Sequence, residues 1–217
     1  MSWQRFKTQA SGKWVLAGEH SVLRCGAAIA LPHPALGLML EFEPSESGAL
    51  DVTPAAALSV VQDLLSAVRD SREERDLSFP RPQGKLSITS TIPVGAGLGS
   101  SAALCVALTR WMSEPLSIPR EQWVEFATSL EHRFHGRSSG MDVAVISAGA
   151  PVSFTMSRGA SPLEIRKLPR FTFHDTGLRA RTSDCVHQVE SFREDAPMMS
   201  MQVDEQMSAA SREAMEG

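Results

Sequence analysis

Apolar and polar positions change period several times along the 217 residues, and each change marks an element. Residues 6–10 read as a short strand. After Ser11-Gly12-Lys13 comes the apolar run Trp14-Val15-Leu16-Ala17, which stops at Gly18-Glu19-His20-Ser21. A second apolar piece over 27–31 ends at Pro32 and Pro34, and 36–42 alternates well enough for another strand. Residues 43–48 form an acidic, turn-rich loop. Leu58, Val61, Leu65 and Val68 recur at helical spacing, with Gln62, Asp63, Ser66 and Arg69 opposite, so an amphipathic helix is predicted. The charge run 71–76 is its solvated end. Pro80, Pro82 and Gly84 mark a loop, and the β-branched alternation over 86–92 predicts a strand.

The second half of the chain is more helical. Residues 102–111 are apolar on nearly all sides, which predicts a helix buried in the middle of a domain. Pro115 ends it, and Pro119 fits a first helical position. Trp123, Phe126, Ala127, Leu130 and Phe134 then share one helical face, which the glycines at 136 and 140 break. Residues 143–146, 152–154 and 165–173 are strand candidates. Ser183 is placed to cap a short helix through Val186, Val189 and Phe192, and a last helix runs from 203 to the end. Strands and helices do not alternate regularly, so the pattern predicts an α+β fold with a mixed or antiparallel sheet, not a doubly wound parallel one.

Composition narrows the function class. Hydrophobic residues make up 42% and charged ones 21%, an ordinary globular balance, and the length suits one large or two small domains. With a net charge of -4, a pI near 5.9 and no basic stripe interleaved with aromatics, neither nucleic acid nor an anionic membrane is an expected partner. Cys25, Cys105 and Cys185 are widely spaced, which reads as reduced thiols rather than a disulfide framework or a zinc site. The N-terminal residues carry no apolar signal segment and no run is long enough to span a membrane, so a soluble, cytoplasmic protein is expected. His33, His174 and His187 read as turn or surface residues, Trp111 and Trp123 as core. His132 and His135 lack the spacing of a zinc pair. Met198, Met199, Met201 and Met207 are expected to cover a domain junction or to face a missing half of the second domain.

The candidate chemistry lies in three polar clusters beside glycine turns. The most informative stretch is Pro93-Val94-Gly95-Ala96-Gly97-Leu98-Gly99-Ser100-Ser101-Ala102-Ala103. A glycine-rich turn feeding a helix N-terminus leaves backbone N–H groups pointing one way at the positive end of the helix dipole, which makes a phosphate site. It is neither G-x-x-x-x-G-K-[ST] nor G-x-G-x-x-G. The other clusters are Gly12-Lys13 with Gly18-Glu19-His20, and Glu131 with Ser138-Ser139-Gly140-Met141-Asp142. Phosphoryl transfer from a nucleotide requires these types: N–H donors, a carboxylate and a hydroxyl for Mg²⁺, a carboxylate for the acceptor hydroxyl, and a fixed cation. Glu131 and Ser100 suit the metal, Asp142 the acceptor, and Lys13 the cation.

In this order the clusters resemble the signature motifs of the GHMP kinases. Gly12-Lys13-Trp14-Val15-Leu16-Ala17-Gly18-Glu19-His20-Ser21-Val22-Leu23 is similar to the first motif of the mevalonate kinases, G-K-V-I-L-x-G-E-H-A-V-V. Ser21-Val22-Leu23 departs from the G-E-H-T-D-Y of galactokinases, and His20 from the G-E-Y-A-V of phosphomevalonate kinases. The segment from Glu131 to Asp142 resembles E-x-x-x-H-G-x-P-S-G-x-D, with Ser138 in place of the proline. Asp175-Thr176-Gly177, followed by Thr182, resembles a segment carrying a substrate- or phosphate-contacting threonine.

The resemblance implies that Ser100 and Glu131 hold Mg²⁺, that Asp142 is the catalytic carboxylate with Lys13 its partner, and that the backbone of 95–101 cradles the phosphates of ATP. It places Glu19, His20, Ser139 and Thr182 near the acceptor. It implies a two-domain α+β kinase. Residues 1–168 would form a ribosomal-protein-S5-like nucleotide- and substrate-binding domain, and 169–217 the start of an incomplete ferredoxin-like domain. The reaction implied is phosphorylation of the primary hydroxyl of mevalonate to 5-phosphomevalonate, with a homodimer left open. The family's third motif, T-G-A-G-x-G-G, has no counterpart, which is read as truncation. The alternatives are another GHMP kinase with a different alcohol or a phosphorylated acceptor, or a non-catalytic nucleotide-binding protein if the chain ends at Gly217.

Overall fold

The computed structural model describes residues 3–216 apart from 20, 25, 47, 136, 137, 166, 180 and 181; the side chains of 135, 182, 183 and 216 are also outside the description. Two long strands, β1 (Phe6–Ala17) and β2 (Ala28–Pro44), pair antiparallel from Phe6 opposite Phe42 to Ala17 opposite Ile29. Each merges two pieces that the local pattern separates. Pro32 and Pro34 do not stop β2, because the pairing is irregular there: Ser11 lies opposite Gly37 but Lys13 opposite Pro32, so a step of two residues in β1 answers to five in β2. Pro34 falls in the unpaired stretch, where no ladder N–H is required of it. This irregularity immediately precedes Lys13.

The opposite edge of β2 is shared. Its C-terminal half pairs with β4 (Gly84–Ser90) and its first residues with β5 (Val152–Thr155), both antiparallel. β3 (Leu50–Thr53) adds to β4 in the parallel sense, and β6 (Gly159–Pro162) to β5 in the antiparallel sense. The resulting mixed six-stranded sheet agrees with the α+β expectation.

Helix α1 (Leu58–Glu73) buries Val61, Leu64, Leu65 and Val68, close to the face read from the sequence. Helix α2 (Ser100–Ser113) is the buried central helix, and α3 (Trp123–His135) packs beside it. A 3-10 turn over Arg120–Gln122 intervenes, so Pro119 precedes that turn instead of opening α3. The core joins α2 to the sheet: Trp111 packs against Phe42, with ring centroids 5.0 Å apart, and against Trp3 at 4.5 Å. Trp123 is only half-buried and donates its indole N–H to Ile118 O.

Four sequence expectations are corrected. Residues 143–146 are not a strand; they lie within helix α4 (Met141–Ala148). A short apolar run has no period of its own, and left-handed Gly140 and Gly149 bound the helix two residues beyond it on each side, so packing against α2 decides. Residues 165–173 form no strand among the described residues. Phe171 and Phe173 instead lay their rings on Trp14, at 4.8 and 5.4 Å, and Phe173 also covers His33. His33 is neither a turn nor a surface residue: it lies buried within β2, and its Nδ1 accepts from the N–H groups of Ala35 and Leu36. The chain ends in α5 (Thr182–Asp195) and α6 (Pro197–Glu216), and Ser183 lies inside α5, not at its cap. Met198, Met199 and Met201 are exposed on α6.

Candidate active site

The glycine loop delivers β4 into α2. Gly95, Gly97 and Gly99 all have left-handed φ, at 75°, 73° and 76°. Alternation of this kind turns successive backbone N–H groups toward a common point, a concavity suited to anions. No side chain caps α2 at Gly99, so Ser100 and Ser101 open a helix whose positive end faces the loop. A Cβ added at Gly97 would meet nothing within 4 Å, whereas one added at Gly99 would lie 2.7 Å from Lys13 Cγ. The two glycines thus serve different needs: open space over the loop at Gly97, close approach to the lysine at Gly99.

Lys13 is held from both sides. Its backbone N–H donates to Leu98 O at 3.0 Å, which ties β1 to the glycine loop. Its side chain, only 5% exposed, ends 3.2 Å from Asp142 Oδ2 and 4.0 Å from Glu19 Oε1. Burial pulls the ammonium pKa down, but Asp142, Glu19 and Glu131 together outweigh that and raise it above the ordinary lysine value. Lys13 is therefore a permanent buried cation. Asp142 sits in the first turn of α4, where helix geometry favours negative charge, and remains partly open to solvent.

Glu131 is the second buried ionisable group. It lies on α3 and is 2% exposed. Burial first, and then the like charge of Asp142, push its pKa up to about 7, against the opposing pull of Ser138 and Lys13. Ser138 Oγ donates to Glu131 Oε2 at 2.5 Å. The serine replacing the expected proline thus gains a partner. Burial and the charge of Glu131 also raise the thiol pKa of Cys105, which places this carboxylate against α2, about one turn beyond Ser100 and Ser101. Ser139 Oγ accepts from Met141 N–H at 3.2 Å and Ser138 Oγ from Gly140 N–H at 3.0 Å, so the two serines shape the entry to α4.

The structure therefore brings Lys13, Glu19, Glu131 and Asp142 into one electrostatic cluster beside Leu98 and Gly99. Ser139 is two residues before Met141, the start of the helix that presents Asp142. His20 lies outside the described residues; Thr182 opens α5, but its side chain is outside them too. Two supporting contacts escaped the sequence reading. Thr128 on α3 stands 3.1 Å from where a Cβ at Gly140 would lie, which sets how closely the turn before α4 approaches α3. Arg110 reaches from α2 to Gln9 O and Ser147 O, linking β1 to α4. Neither has a local signature, because each depends on a chain segment distant in sequence.

Residues 59–150 match the family described as the GHMP kinases N terminal domain. The mevalonate kinase of Thermococcus gammatolerans is 32% identical over 221 residues, covering 89% of this chain and 64% of the relative. That of Pyrococcus horikoshii is 31% identical over 210 residues, covering 87% and 62%. The chain thus spans somewhat less than two thirds of the length of these curated relatives. Among solved structures, L. major mevalonate kinase in complex with R-mevalonate superposes with a TM-score of 0.71 at 21% identity, over 98% of this chain and 70% of that one. Methanococcus jannaschii mevalonate kinase gives 0.70 at 15% identity, over 99% and 73%, so the two share the fold. Residues 59–150 are thus similar to the N-terminal domain of the GHMP kinases, and the relatives that this chain resembles along most of its length are mevalonate kinases.

Proposed function

We propose that this chain carries the catalytic groups of a cytoplasmic mevalonate kinase, transferring the γ-phosphoryl group of ATP to the primary hydroxyl of mevalonate. The observation that carries the reading is the buried Lys13–Asp142 pair, 3.2 Å apart and tied through Leu98 O to the glycine loop. Asp142 orients the acceptor hydroxyl and takes up its proton as the oxygen attacks phosphorus. Lys13 pairs with Asp142 at 3.2 Å and faces the charge that develops on the transferring group. The loop N–H groups and the start of α2 hold the phosphates. Glu19, His20, Ser139 and Thr182 are the proposed contacts to the acceptor.

Among the described residues no three His, Cys, Asp or Glu side chains gather as a metal site. That suits Mg²⁺, which takes one or two protein oxygens and completes its shell with phosphate oxygens and water. Glu131 fits the ion: a buried carboxylate beside a second carboxylate calls for a compensating cation. Glu131 and the Ser100 hydroxyl would hold Mg²⁺, which when bound neutralises charge on the β- and γ-phosphates. A boundary near residue 168 between the nucleotide domain and a second domain is supported by the absence of helix or strand among the described residues from 163 to 179.

The test is a coupled assay of ADP release with ATP, Mg²⁺ and a panel of small alcohols and phosphorylated acceptors. Turnover with mevalonate above the others is expected. Preference for a phosphorylated acceptor would overturn the substrate assignment, and nucleotide binding without any turnover would overturn the enzymatic one.

A further inference from the structure

The turn at 18–24, which carries Glu19, is fastened to the last two helices by charge. Arg24 closes a short 3-10 turn (Ser21–Arg24) and is 17% exposed. Its Nε donates to Asp204 Oδ2 at 2.9 Å and its Nη2 to Asp204 Oδ1 at 3.0 Å, a two-pronged pair with α6. Its Nη1 reaches Glu190 Oε1 on α5 at 3.3 Å. Arg193 of α5 closes the network on Asp204. The hydrogen bonds from Arg24, joined by those from Arg193 and opposed by burial, hold the Asp204 carboxyl below its usual range. Forked guanidinium–carboxylate pairs fix orientation as well as distance.

Little else fixes this part of the molecule. Among the described residues no apolar side chain of α5 or α6 is fully buried; the buried side chains there are Ser200 and Ser211. Ser211 marks a close approach to the same turn, for a Cβ at Gly18 would lie 2.9 Å from its Oγ. One arginine therefore joins three pieces: the turn with Glu19, the helix that begins at Thr182, and α6.

We propose that Arg24, clamped by Asp204 and Glu190, is a positioning residue for the acceptor, setting the Glu19 turn against the helix that begins at Thr182. This rests on the reading of Glu19 and Thr182 as acceptor-side residues. Arg24 pairs with Asp204 and Glu190; Glu19 is 4.0 Å from Lys13, whose closer tie is to Asp142 at 3.2 Å, so loss of Arg24 acts chiefly on the acceptor.

The experiment compares the chain with Asp204→Asn, Arg24→Lys and the exchange Arg24→Asp with Asp204→Arg. Asp204→Asn is expected to raise KM for mevalonate about tenfold while kcat and KM for ATP stay within about twofold. Arg24→Lys, which keeps the charge but loses the fork, falls between, and the exchange recovers little, because it sets position 24 against Glu190 and position 204 against Arg193 with like charges. An unchanged mevalonate KM, or equal losses in all three parameters, overturns the proposal. If no variant turns mevalonate over, the proposed function fails, and hydrogen exchange still decides the positioning role. The amides of Val22 and Gly26, bonded to Gly18 O and Ser21 O, should exchange about tenfold faster in Asp204→Asn while that of Leu40 in the core does not change. Equal exchange at Val22 and Gly26 overturns it.

Discussion

The proposed phosphate side and the proposed acceptor side of the site are built by different physics. On the phosphate side, α2 and α4 pack on the sheet through Trp111, Leu108, Val143 and Ile146, all at most 2% exposed, and the loop is pinned by a backbone hydrogen bond to Lys13. On the acceptor side, α5 and α6 bury no apolar side chain among the described residues and meet the 18–24 turn through an arginine–carboxylate network. Close packing has few alternative arrangements, whereas surface ion pairs are individually weak and screened by salt. The contrast suggests a division of labour: a rigid cradle for the nucleotide and an adjustable wall for the acceptor.

The comparison breaks most severely at Asp142. Asp142→Asn should lower kcat by about 10²- to 10⁴-fold while nucleotide affinity, read with a fluorescent analogue, is kept. Full activity would remove Asp142 from the mechanism. Next in size is the stability contrast. Trp111→Ala should cost about 3–5 kcal/mol in denaturant unfolding. Met199→Ala, on an α6 residue 58% exposed, should stay within about 0.5 kcal/mol. Similar values for the two would refute the division.

Glu131 gives a pH test of the same side. Its carboxyl keeps its proton up to about pH 7 in the folded state, while in the unfolded chain it titrates near 4.5. Between those values the folded state binds more protons, so stability falls as pH rises through the window. Without Mg²⁺ the loss should be roughly 2–3 kcal/mol, and Glu131→Gln should flatten the curve. The smallest effect separates two loop glycines. Gly97→Ala bears only the strain of a left-handed φ, about 1 kcal/mol. Gly99→Ala bears that strain and also displaces Lys13, since the new Cβ would lie 2.7 Å from Lys13 Cγ. Its kcat should therefore fall several-fold more than that of Gly97→Ala, measured side by side.

Much of the phosphate side was legible because its determinants are local. Three alternating glycines followed by small residues specify a turn and a helix start with no help from the rest of the chain, and the coordinates show both. The amphipathic period of α1 and the all-apolar α2 were equally readable, since burial acts directly on the side chains that set the period. Glu131 and Asp142 were identified by the resemblance of their segment to a family motif, but the burial of Glu131 and the pairing of Asp142 were not: they depend on which helices pack together and on Lys13, 129 residues away in sequence from Asp142.

The chain's own order of residues therefore decides where turns, caps and candidate catalytic groups fall, because those respond to neighbours a few positions away. Tertiary structure decides three other matters. It runs β2 through two prolines, because an irregular pairing with β1 leaves Pro34 without a ladder bond to supply. It makes 143–146 helix rather than strand, because packing against α2 settles a run too short to have a period. It joins Arg24 to Asp204, 180 residues apart, because a forked charge pair forms only once both ends of the chain are already in place.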